Sequence, residues 1–168
     1  MFEIIKKNLI NKSLRELGRA ADMLWLSIGE PIIIDDYYRG GTREVSEYAI
    51  HFQCQWRFVK NGEILLASHD IYNPYDKNLE YDDEWDWDVF GREKEKSSLF
   101  DVNSAEFNKL LPLKIIDINC TDTHDLHINF ENDIYFDTFI TCSRKREYYR
   151  FIDFTSDKSK HFVIFDED

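Results

Sequence analysis

The sequence predicts a mainly β domain of α+β type: an antiparallel sandwich, an open barrel or a bent sheet with one or two short helices. Three observations predict it. Residues 48–58 alternate, with Tyr48, Ile50, Phe52, Cys54, Trp56 and Phe58 interleaved with Ala49, His51, Gln53, Gln55 and Arg57. That period of two is the mark of a strand with two chemically different faces. Asn61-Gly62 follows, and both residues tolerate the positive φ that a type I′ hairpin turn requires. Aromatic residues, mostly Phe and Tyr, make up 15% of the chain, and these types fit a pleated surface.

The elements follow in chain order. Residues 13–28 carry two patterns. Leu14, Leu17, Ala21, Leu24 and Ile28 fall at helical spacing, whereas Ala20, Asp22, Leu24, Leu26 and Ile28 alternate. Gly18 is a poor helix-interior residue, so a strand from about Arg19 to Ile28 is the better reading. Pro31-Ile32-Ile33-Ile34 then leads into a turn-rich stretch, 35–41. The three prolines, Pro31, Pro74 and Pro112, each sit near an expected element end.

With Asn61 and Gly62 at the tip, residues 64–72 form the returning strand of a hairpin. The turn sets Lys60 opposite Glu63, Phe58 opposite Leu65, Trp56 opposite Ala67 and Cys54 opposite His69. On the other face Arg57 meets Leu66, Gln55 meets Ser68, Gln53 meets Asp70 and His51 meets Tyr72. Residues 103–111 read as a short helix, with Asn103 as cap, Glu106 at the capping-box position and Pro112 closing it. Strands are expected at 113–120, 126–130, 134–141, 148–154 and 161–165, with Glu131-Asn132-Asp133 as a turn and Asp166-Glu167-Asp168 as a solvated tail.

A chain of 168 residues fits one domain spanning 1–168. From about 73 to 98 the alternation dissolves into a long acidic, aromatic loop. In its 73–90 part, Asp76, Glu80, Asp82, Asp83, Glu84, Asp86 and Asp88 stand against the single base Lys77, with Tyr75, Tyr81, Trp85, Trp87 and Phe90 threaded among them. A disordered acidic tract would be poor in aromatics. The tryptophans imply burial, against the body of the domain as a folded flap or against a partner.

The formal charge is −12, from 33 acids and 21 bases. Such a surface repels phosphate backbones, which disfavours nucleic acid, and attracts a basic protein. Cys54, Cys120 and Cys142 are odd in number and lack CxxC spacing, which argues against a disulfide framework or a structural zinc site. No apolar run approaches the roughly 20 residues that span a bilayer, so a cytoplasmic location without membrane contact is expected.

Candidate chemistry is sparse. The polar hairpin face offers His51, Gln53, Arg57 and Asp70 as a ligand-binding set. A Ser/His/Asp trio of Ser68, His51 and Asp70 lacks a nucleophile elbow and an oxyanion loop, so no catalytic residue is assigned. Asp122, His124, Asp125 and His127 carry metal-ligand chemistry, but a turn rich in Asp and Thr explains the same letters. No metal and no cofactor is expected. Arg144-Lys145-Arg146 is a small basic patch.

Four stretches resemble a family of small uncharacterised bacterial proteins that share an alternating LHxQxxWR strand. They are Gly18-Arg19-Ala20-Ala21-Asp22-Met23, Ile50-His51-Phe52-Gln53-Cys54-Gln55-Trp56-Arg57, Ala67-Ser68-His69-Asp70, and Tyr149-Arg150-Phe151 with His161-Phe162-Val163. The resemblance implies a bacterial, cytoplasmic protein and carries over no catalytic residue.

The functional expectation is a non-enzymatic interaction domain, an immunity-type partner of a toxin being one case, that binds a basic protein through Tyr81, Asp83, Trp85, Asp86 and Trp87. The alternative is a small-molecule binder or hydrolase using the hairpin face. A homodimer through an aromatic sheet face is a third expectation.

Overall fold

Apolar side chains at every second position commit most of this chain to strands, and the apolar faces of those strands must meet one another. The computed structural model describes residues 2–36, 39–89, 93–156 and 160–163. Among these, ten antiparallel strands form one unclosed sheet in the order β10-β9-β3-β2-β1-β6-β7-β8-β4-β5. The strands are β1 (Ser13–Ala20), β2 (Met23–Asp35), β3 (Thr42–Phe52), β4 (Gln55–Lys60), β5 (Glu63–Ala67), β6 (Leu113–Cys120), β7 (Leu126–Phe130), β8 (Ile134–Phe139), β9 (Tyr149–Asp153) and β10 (Lys160–Val163). Two helices accompany them, α1 (Phe2–Leu9) and α2 (Leu99–Phe107).

The sheet is bent. Its halves are joined between β1 and β6 by only two residue pairs, Ser13 with Lys114 and Leu14 with Leu113. The half containing β3 faces the half containing β8, so that the Phe52 and Phe136 rings lie 5.0 Å apart. Phe58 is the hub of this interior, with its ring 4.6 Å from both Phe107 and Phe136. Trp56 stacks on Phe136 and meets the edge of Phe100.

Residues 13–28 form two strands rather than one. Ala21, at φ 52°, turns the chain, and Ala20 pairs with Met23. A bulge between Leu14 and Glu16 inserts one extra residue, which moves the inward position from Leu14 to Leu17. That step of three is what resembled helical spacing. Gly18 is required by its neighbour, because a Cβ there would lie 2.5 Å from the Trp25 indole.

Strand β2 continues through Pro31 to Asp35. Proline fits because the ladder is already broken by a bulge between Ile28 and Pro31, with Gly29 at φ 91°. The Glu30 amide donates to the Glu47 carboxylate, which Lys12 also holds at 2.6 Å.

The expected strand over 48–58 is two strands. It breaks at Gln53-Cys54, and the two pieces lie six places apart in the sheet order. Strand β3 pairs with β2 and β9, whereas β4 pairs with β5 and β8. The alternation survives the break, since Ile50, Phe52, Trp56 and Phe58 are all buried in the same interior.

The Asn61-Gly62 turn forms, with both residues at positive φ, and Lys60 faces Glu63. A bulge between Phe58 and Val59 then shifts the register by one, so Phe58 faces Leu66 and Arg57 faces Ala67. This corrects the expected pairings beyond the turn. It also puts buried Leu66 inward and leaves Ile64 outside. The returning strand stops at Ala67, and Ser68–Tyr72 is a 3-10 turn.

Helix α2 begins four residues before the expected position. Ser98, not Asn103, is its cap, accepting from the Asp101 amide at 3.1 Å. Asn108 follows the helix and pairs with both backbone groups of Leu17, at 3.2 and 3.1 Å. This amide imitates a strand neighbour where β1 has lost contact with β6. Helix α1 was not signalled in the sequence. Ile5 and Leu9, one turn apart, bury its inner face, and Lys6 reaches Asp117 at 3.0 Å. The tail at 164–168 and Phe90 lie outside the described residues. No described helix is long and apolar enough to cross a membrane.

Candidate functional site

The hairpin-face set does not assemble, because its members belong to different parts of the sheet. His51 sits on β3 between Trp25 and Arg150. Burial and the nearby Arg150 and His161 charges hold its pKa below the ordinary histidine value. Gln53 lies at the β3–β4 break, where its amide N–H bonds to the Tyr148 carbonyl at 2.8 Å. Arg57 reaches across to Asp137 on β8 at 3.4 Å and lies over the Phe139 ring. Asp70 folds back to accept from the Ala67 amide at 2.9 Å, and burial raises its pKa. The expected diagonal of His51 with Asp70 is therefore absent, since the strands assumed to carry them do not pair.

The Asp and His residues before β7 are engaged separately. Asp125 accepts from the Ile140 amide and from Thr123, which fixes the turn. His127, on β7, has other partners, with Nδ1 2.6 Å from Asp137 and Nε2 3.1 Å from Asn129.

The described parts of the loop, 73–89 and 93–98, form a flap with a built neck. Pro74 bridges to Ser98, the Tyr75 amide donates to the Ser97 carbonyl at 2.9 Å, and the Leu99 amide donates to the Asn73 carbonyl at 2.7 Å. Several acids shape the flap itself. Asp76, Asp82 and Asp86 each accept from the amide two residues on, at 2.9, 2.9 and 3.0 Å.

Both tryptophans turn inward. The Trp85 indole N–H donates to the Lys96 carbonyl at 3.0 Å. Trp87 packs against the edge of the core, edge-on to Tyr72 with ring centroids 4.9 Å apart. Tyr72 in turn donates to Asp22 at 3.0 Å. Arg19 completes the tether. Its guanidinium, 2% exposed, bonds Asp101 at 2.8 and 3.0 Å and the Trp87 carbonyl at 2.9 Å. Burial works to raise the Asp101 pKa, but hydrogen bonds from Arg19 and Ser98 outweigh it, and the net value lies below the ordinary carboxylate range.

Over 80–88 the flap leaves outside Tyr81, 90% exposed, with Glu80, Asp82, Asp83, Glu84, Asp86 and Asp88, while Tyr75, Lys77, Lys94 and Lys96 are exposed nearer its neck. Of the five residues expected to meet a partner, Tyr81, Asp83 and Asp86 are presented to solvent, while Trp85 and Trp87 anchor the flap from within.

Sequence reasoning missed a polar cleft of about 260 Å³ at the β3–β4 break. It draws Asp22 from the β1–β2 turn, Gln53 and Gln55 from the break, His69 from the 3-10 turn, and Cys142 and Arg146 from the β8–β9 connection. Three of the four stretches singled out above supply its walls. The missing signal was the strand break itself, because a continuous strand would have sent Gln53 and Gln55 to a flat sheet face.

Fold and site together define a mainly β domain with an ordered acidic flap and a separate polar cleft. Compared with protein-family models, curated proteins and solved structures, the chain matches none.

Proposed function

We propose that the chain is a non-enzymatic protein-interaction domain of the reducing cytoplasm that receives a basic protein on its acidic flap. An immunity-type inhibitor of a basic toxin is the specific case favoured. The observation that carries the reading is the division of labour in the flap. Trp87 and Arg19 fix it to the body, the Trp85 indole closes it on itself at Lys96, and its 80–88 rim exposes Tyr81 among six carboxylates.

A pre-formed rim loses less conformational freedom on binding than a free loop would. Clustered carboxylates on a chain of net charge −12 steer a basic partner and speed encounter. An exposed tyrosine is a residue type that anchors interfaces. The three cysteines are free thiols, which agrees with a reducing compartment.

The test is affinity purification from bacterial extract with the wild-type chain and with D83N/D86N/D88N, at low and high salt. Asparagine keeps the side-chain acceptor of the flap turns, so the variant removes charge and spares shape. A basic protein held by the wild type, lost by the variant and released by salt supports the reading. Equal recovery by both chains, or binding indifferent to salt, contradicts it.

A further inference from the structure

We propose that the cleft at the β3–β4 break binds a small organic anion, its carboxylate or phosphate group held between Arg146 and the Gln53 amide. The arginines that brace this fold are paired with acids: Arg15 with Glu30, Arg19 with Asp101, Arg57 with Asp137 and Arg150 with Glu147. Arg146 pairs with no carboxylate among the described residues. It lies instead over the Tyr148 ring, 5.5 Å from the centroid, on the wall of the cleft. One guanidinium donor also reaches the Tyr148 hydroxyl, and the rest of the five-donor fork stays available to a carboxylate or phosphate.

The loop carrying it is fixed, because the buried Tyr148 hydroxyl donates to the carbonyls of Cys142 and Arg144. The Gln53 side chain lines the same cleft and adds a neutral donor. The one carboxylate on the lining, Asp22, accepts from Tyr72.

The rim also reports its own field. The Cys142 thiol is held below the ordinary cysteine value by the Arg144 backbone N–H and the Tyr148 hydroxyl, then by the Arg146 and Arg144 charges. An atom at this mouth is thus stabilised in its negative form on a molecule that is negative overall. The volume suits one small molecule, and Tyr72 and Phe139 give its organic body an apolar wall.

Cys142 supplies the assay. Its alkylation is followed by peptide mass spectrometry, with anionic iodoacetate against neutral iodoacetamide, at constant ionic strength set with chloride. Relative to the denatured chain, the iodoacetate preference at Cys142 rises about threefold or more, and R146Q removes the rise. Inorganic phosphate or acetate at millimolar concentration slows iodoacetate at Cys142 and leaves Cys120 unchanged. Protection by phosphate alone assigns a phosphate monoester, and protection by acetate alone assigns a carboxylate. Protection by neither, or the same reactivity in R146Q, overturns the site.

Discussion

The β4–β5 hairpin and the 73–98 flap both adjoin α2, yet they are held by opposite means. The hairpin is held by area. Trp56, Phe58 and Leu66 are fully enclosed, and Phe100 and Phe107 of α2 close over them. The flap is held by points: two backbone bonds at its neck, one indole N–H, one tryptophan wedge and one buried arginine. Burial of area is nondirectional and tolerates local adjustment, whereas point contacts fail singly. The difference teaches where this molecule keeps its stability and where it keeps a surface free for recognition.

The largest way to break the contrast is at its area-held side. Phe58→Ala leaves a cavity among Phe107, Phe130 and Phe136 and costs about 3–5 kcal/mol in chemical denaturation. Next comes the arginine. Asp101→Asn strands the 2%-exposed Arg19 guanidinium without its carboxylate and costs about 3 kcal/mol. The same pair sets an acid limit. The Asp101 pKa is lower folded than unfolded, so its contribution is complete above about pH 4, the ordinary carboxylate range. It is lost as pH falls through the lower folded value. An acid titration of stability is therefore shallower in Asp101→Asn than in the wild type.

Smaller effects sharpen the comparison. Trp87→Ala removes the wedge at about 1 kcal/mol of global stability, and limited proteolysis then cuts within 76–89 while the hairpin stays intact. Tyr81→Ala changes denaturant stability by less than about 0.5 kcal/mol and weakens capture of a basic partner.

The same contrast explains what could be read from the sequence. Alternation records burial, so the inward set of Ile50, Phe52, Trp56 and Phe58 was legible, as were β6, β7 and the Asn61-Gly62 turn. Bulges erase that record locally. The one at Leu14/Glu16 imitated a helix, and the one at Phe58/Val59 displaced the register by a residue. The break at Gln53-Cys54 was invisible because it preserves parity, and with it went the cleft. Contacts between distant residues leave no pattern at all. Nothing local to Arg19 names Asp101 or the Trp87 carbonyl, and nothing local to Asn108 names Leu17. The acidic flap was therefore visible as composition, while its anchoring was not.

The most direct test is native-state hydrogen exchange at the two neck amides, Tyr75 and Leu99, which bond to Ser97 and Asn73. A pre-formed flap predicts protection of at least about a hundredfold over the free chain, lost in Asp101→Asn while the Phe58 amide stays protected. Exchange of both neck amides at the free-chain rate in the wild type would contradict it, and would make the acidic rim an unstructured loop rather than a built surface.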